Sequence, residues 1–281
     1  SPIGAASIQV PAEAEARLRA IYEKGEFNPR TFRGVWLPDG SGYTLLEPAA
    51  GAPAGSSARD IVAYTAADGK RTILASSTQL APQGAAEPLA VEAYLISPDG
   101  KRIIIETNGR SDGDSDRRVA DIWAFDRTAD SLLKAAEGVS PGLSRGAVSF
   151  DGTKLLASLR GDLYVVKLTE AGAPVRLTFG AEPGKLTRGQ ASWSPDGSSI
   201  AFVQTDSSAV LERPMLLPTD PSYPKVRNVR FARVGTPIPV LRVGVVPSGG
   251  GETKWIALPS PASGFYLGEV SWAAGSQELL V

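Results

Sequence analysis

The stretch WSPDGSSIAFVQTD, residues 193–206, places a turn of Ser, Pro, Asp and Gly in front of a run rich in β-branched and aromatic residues. Pro presets φ for the first corner of a turn, Asp suits the second, and Gly accepts the left-handed position that lets a short hairpin close. The flanking residues then read as two antiparallel strands. The pattern recurs as VWLPDGSGYTLL (35–46), LISPDGKRIIIET (95–107), AVSFDGTKLLAS (147–158) and a degenerate VSWAAGSQELLV (270–281).

The turn aspartates Asp39, Asp99, Asp151 and Asp196 are 60, 52 and 45 residues apart. That spacing is close to the roughly 40–50 residues of one propeller blade. Further strand-like runs lie between the hairpins, among them RDIVAYTA, ADIWAFDR, GDLYVVKL and IPVLRVGVV, so each repeat carries about four strands. The reading is an all-β propeller of four-stranded antiparallel blades, a β-sandwich being the alternative. The blades span about 31–80, 90–136, 145–180, 188–260 and 266–281. With only two strands in the last, the ring is incomplete at about four and a half blades, and the parent protein is expected to continue past Val281. Residues 1–30 form an N-terminal segment in which PAEAEARLRAIYEKG predicts a short helix, with Leu18, Ile21 and Tyr22 on one face and Gly25 at its stop.

Composition narrows the chemistry. The 281 residues carry 29 basic and 30 acidic side chains, a net charge of -1, which argues against nucleic acid as partner. No apolar run reaches the ~18 residues of a membrane span. The chain has no cysteine and no histidine, so no disulfide, thiolate metal site, Ser-His-Asp triad or histidine-zinc site is assembled from it alone. GLSRG (142–146) fits the nucleophile-elbow pattern around Ser144, but it precedes a strand and has no histidine to serve it, so it reads as a loop. Asp112, Asp114 and Asp116 alternate as in calcium loops, yet Arg117 occupies the position of the required glycine, and a solvated loop is expected. SGGGETKW (248–255) is followed by a strand rather than a helix and reads as a hairpin turn. Trp36, Trp193 and Trp272 hold equivalent places in the repeat and are expected to pack blade against blade. No catalytic, cofactor-binding or metal-binding residue is assigned.

From Asp206 and Val210, through Tyr223-Pro224-Lys225, to Gly235-Thr236-Pro237-Ile238-Pro239, the chain closely resembles the N-terminal propeller of the dipeptidyl peptidase IV subfamily of prolyl oligopeptidase-like serine peptidases. FNPRTFRGVWLPDGSGY (27–43), RRVADIWAFDR (117–127), GDLYVVKL followed by VRLTFG, and YLGEVSW (266–272) agree in order, so the resemblance runs from about Ile21 to Val281. It implies a propeller that caps a C-terminal α/β-hydrolase domain carrying the catalytic Ser, Asp and His, with peptides as substrates, a periplasmic or secreted location, and a homodimer left open. In such propellers a pair of glutamates on a short helical insertion binds the substrate amine. Here GKLTRGQASWSPDG passes from Arg188-Gly189 almost directly to Trp193, so the pair is missing, and Arg145 does not match the family's arginine. Two functions follow: a non-catalytic module gating peptides into a hydrolase domain outside this chain, or a stand-alone propeller that binds partner proteins in the cell envelope.

Overall fold

The computed structural model describes residues 11–28, 32–53, 55–111, 118–142, 145–217, 222–258 and 264–281. The chain divides into two compact units, Ser1–Gly34 and Val35–Val281. In the first, helix α1 (Ala12–Tyr22) begins directly after Pro11, whose missing N–H costs nothing at a helix start. Gly25 follows the helix with φ +65°, and Arg17 pairs with Glu26 at 2.7 Å.

The second unit is a succession of antiparallel sheets. The first contains β1 (Val35–Trp36), β2 (Gly42–Pro48), β3 (Arg59–Thr65) and β4 (Arg71–Ala75) in chain order. The second repeats that order with β5 (Ala93–Ile96), β6 (Arg102–Ser111), β7 (Arg118–Asp126) and β8 (Ser131–Val139). The third has three strands: β9 (Lys154–Leu159), β10 (Asp162–Lys167) and β11 (Val175–Arg176). In the fourth, β12 (Leu186–Trp193) and β13 (Ser199–Asp206) continue to β16 (Val240–Pro247) and β17 (Lys254–Trp255), with β14 (Glu212–Leu217) and β15 (Lys225–Arg230) leaving as a separate two-stranded ribbon. A hairpin of β18 (Ser271–Trp272) and β19 (Leu279–Leu280) ends the series, and the sheets do not close on one another.

Strand periodicity explains why the sheets stack. Successive side chains point to opposite faces of a strand. On β6, buried Ile103 and Ile105 join Ile61 and Phe125 between the first and second sheets, while Ile104 joins Leu95, Val148 and Leu155 between the second and third. On β9, Leu155 and Ala157 face the second sheet, and Leu156 packs with Trp193 and Phe202 toward the fourth. Each middle sheet is therefore apolar on both faces and needs a neighbour on each side, which is the packing of propeller blades.

The turns repeat atom by atom. Ser97 Oγ donates to Asp99 Oδ1 at 2.5 Å, and Gly100 takes φ +71°. Ser149 and Asp151 repeat the bond at 2.6 Å with Gly152 at +68°, and Ser194 and Asp196 at 2.6 Å with Gly197 at +69°. Each aspartate also accepts the backbone N–H two residues on. The Ser194 hydroxyl, with the Ser198 amide and hydroxyl, holds the Asp196 carboxyl well below its ordinary range, at about 2.

The third sheet has three strands where four are expected. Ser140 pairs with Ser158, and Val148 with Leu155, so both ends of an innermost strand are in place. Between them Pro141 brings no N–H to a ladder, Gly142 turns at φ +51°, and the chain returns through a single 3-10 turn, Arg145–Ala147.

Candidate functional site

That interruption opens a cavity of about 620 Å³ between the second, third and fourth sheets. Its walls are Leu156, Ala157 and Ser158 of β9, Arg188 to Ala191 of β12, Glu106 of β6, Arg118 of β7, Leu163, and the ends of the broken strand at Ser140 to Gly142 and Ala147. It lies at the end of the strands away from the Ser-Pro-Asp-Gly turns.

Two buried carboxylates organise the charged wall. Asp162, at the start of β10, accepts from Arg176 Nη2 at 2.6 Å, Thr178 Oγ1 at 2.8 Å and Arg188 Nη1 at 2.9 Å. Arg188 Nη2 donates to the Phe179 carbonyl at 3.0 Å, and the Arg188 amide to the Gly161 carbonyl at 3.0 Å, so this side chain binds the fourth sheet to the third. Glu106 accepts from Arg118 Nη1 at 2.6 Å, and Arg118 Nη2 also reaches Glu92. The Glu106 carboxylate raises the Arg118 guanidinium above its usual range, with Glu92 adding to the effect. Beside them Asp121 is buried, which opposes its charge. Hydrogen bonds from Asn108, Arg110 and the Gly138 amide, with Lys134 nearby, nevertheless hold its carboxyl below the usual range.

β12 departs from regular pairing at the cavity. Its register against β13 shifts between Gly189 and Ser192, and Gln190 sits there with φ +46°. A bulge re-aims side chains, and a left-handed Gln stores strain that the surrounding pairing must hold.

Residues 97–281 match the family described as "Dipeptidyl peptidase IV (DPP IV) N-terminal region". The chain belongs to that family. It is 27% identical over 301 residues to "Probable dipeptidyl-aminopeptidase B" of Aspergillus terreus, covering 91% of this chain and 31% of that protein. The protein of the same name from Emericella nidulans is 26% identical over 290 residues, with 91% and 31% covered. Among solved structures, Porphyromonas gingivalis dipeptidyl peptidase 4 superimposes with a TM-score of 0.71 at 21% identity, covering 92% of this chain and 37% of that one. The chain thus spans about a third of the length of these relatives, and its likeness to the solved structure is one of fold.

Set beside the sequence-derived sites, the geometry is specific. Arg188 and Gly189 lie in regular β12 pairing with Gln204 and Val203 at the cavity wall. Ser144, Asp112, Asp114 and Asp116 fall outside the described residues. Gly249 to Gly251 form the turn between β16 and β17. Trp193 Nε1 donates to the Ala147 carbonyl at 2.9 Å and Trp272 Nε1 to the Ser192 carbonyl at 3.2 Å, so both tie a sheet to the one before it. Trp36, in the first sheet, is 60% exposed. Among the described residues no group of three or more acidic side chains is placed to hold a metal ion. The cluster of Asp162, Arg176 and Arg188 escapes sequence reading, because 26 residues separate its ends and no local pattern marks a buried pair.

Proposed function

We propose that this chain is the non-catalytic propeller of a dipeptidyl peptidase IV-type serine peptidase, gating access of peptides to an α/β-hydrolase domain that lies outside it. The family match over residues 97–281 carries the reading. Its relatives bear the names of dipeptidyl peptidases and are about three times as long as the segment they share with it. Gating suits the fold: stacked rigid sheets exclude folded proteins by size, while extended peptides pass, and enclosure keeps bulk water from the reacting groups. The alternative, a propeller that binds partner proteins without peptidase activity, draws on the cavity wall, where Glu106 and Asp162 are both occupied by guanidinium groups. The experiment compares this chain with the longer protein that carries it, on Ala-Pro and Gly-Pro chromogenic dipeptides and on longer peptides. The isolated chain leaves them intact, and the longer protein cleaves peptides but not folded proteins. A longer protein that cleaves nothing, or turnover by the chain alone, overturns the proposal.

A further inference from the structure

We propose that the cavity between the second, third and fourth sheets is a binding site for a peptide carboxylate. Its described wall residues offer charged donors and no unengaged carboxylate. Among the described residues the carboxylates nearest the wall are engaged, Glu106 by Arg118 and Asp162 by Arg176, Thr178 and Arg188. An ammonium group entering the cavity would meet no unengaged carboxylate among the described wall residues.

The guanidinium groups are differently placed. Arg118 keeps 48% of its side chain exposed while two of its nitrogens hold Glu106 and Glu92, so its charge is fixed in position yet open to a further acceptor. Arg188 is 8% exposed and held rigid by Asp162 and the Phe179 carbonyl. Its Nε–H is itself sealed from the cavity, so Arg188 contributes a fixed positive charge behind the wall rather than a free donor. Exposed Gln190, presented by the bulge at φ +46°, adds an amide to the same wall. Planar guanidinium groups pair well with carboxylates, and preformed donors lower the ordering cost of binding. Leu156, Ala157 and Leu163 line the same space and suit the aliphatic part of a peptide.

The ligand class rests on the peptide-handling reading above, and the carboxylate rests on the wall itself. The test is calorimetric titration of the 281-residue chain with N-acetylated probes. These are acetyl-trialanine as the free acid and as the amide, then acetyl-Ala-Glu-Ala-amide against acetyl-Ala-Gln-Ala-amide. One charged probe binds about tenfold tighter than its neutral twin, as expected for charge-assisted hydrogen bonds, and the responding pair tells a chain terminus from an acidic side chain. Gln190→Glu, at an exposed position, puts a like charge on the wall and removes the preference without disturbing the thermal melt. Arg118→Lys keeps the charge but loses the fork, and weakens the charged probe by about tenfold. Equal binding of charged and neutral probes sinks the carboxylate assignment but leaves the peptide-handling reading standing. So does a preference that survives Gln190→Glu. If no probe binds at millimolar concentration, the site is refuted, and cleavage by the longer protein then decides the gating role separately.

Discussion

Asp162→Asn tests whether the third and fourth sheets are locked by buried charge. The native carboxylate is 4% exposed and accepts from Arg176, Thr178 and Arg188. Arg176 is 42% exposed, so water can replace its lost partner, and that part of the change costs little. Arg188 is 8% exposed and cannot be rehydrated without opening the interface. Leaving one buried charge uncompensated costs about 3–5 kcal/mol. For a chain of this size that corresponds to a fall in Tm of about 5–9 °C. Denaturant titration followed by tryptophan fluorescence is a suitable assay, because buried Trp193 sits at this interface and its indole N–H bonds across it. Adding Arg188→Met to Asp162→Asn removes the orphaned charge. The double variant is therefore more stable than the sum of the single effects predicts, by about 2 kcal/mol. A single-variant loss under about 1 kcal/mol, or strict additivity, refutes the lock.

Three further perturbations follow from the same geometry. In Gly42→Ala a Cβ overlaps the Tyr64 carbonyl oxygen and stands 3.0 Å from its carbon, so the first sheet loses about 1–3 kcal/mol by calorimetry, although this glycine has no positive φ. Trp193→Phe leaves the Ala147 carbonyl without its indole donor and costs about 1–3 kcal/mol, whereas Trp272→Phe, at a longer bond and a half-buried site, costs less, and Trp36→Phe least. Asp196 titrates near 2 when folded, below its unfolded value, so the stability it lends is complete above about pH 4 and is lost as pH falls through about 2. The stability gap between wild type and Asp196→Asn, measured by melts from pH 5 to 2, therefore narrows over that window.

The all-β character and the repeated sheets were legible because their causes are local. A Ser-Pro-Asp-Gly turn closes through bonds between residues two apart, and alternation along β6 or β9 assigns each side chain to a face without further information. The third sheet was not legible. Whether the run ending at Pro141 and the run beginning at Ala147 form one strand depends on Ser158 and Leu155 across the sheet, which no window of sequence reports. The ribbon of β14 and β15 was hidden similarly. Its strands, ERPMLL and KVRNVR, lack a strict alternation, and only the pairing of Asp206 with Val240 reveals that the intervening segment stands outside the sheet. Arg188 and Gly189 stand out in the sequence for what they do not resemble. That Arg188 is buried against Asp162, however, is a contact between two sheets.

The two departures from the repeat that shape the cavity meet at one place, and this is the best argument that it serves a purpose. A stack of blades is most stable when each copies its neighbour, because each face then finds the same complement. Breaking a strand at Pro141 forfeits ladder bonds, and holding Gln190 in the left-handed region stores strain. Either alone could be tolerated by drift. Both border the cavity that also contains the buried Arg188 and the Arg118–Glu106 pair, while the turns at the other end of the strands keep their bonds nearly unchanged from sheet to sheet. An irregularity concentrated at one end of an otherwise regular stack is what a ligand-binding mouth requires: rigid walls set by the repeat, with polar groups placed where the repeat is broken.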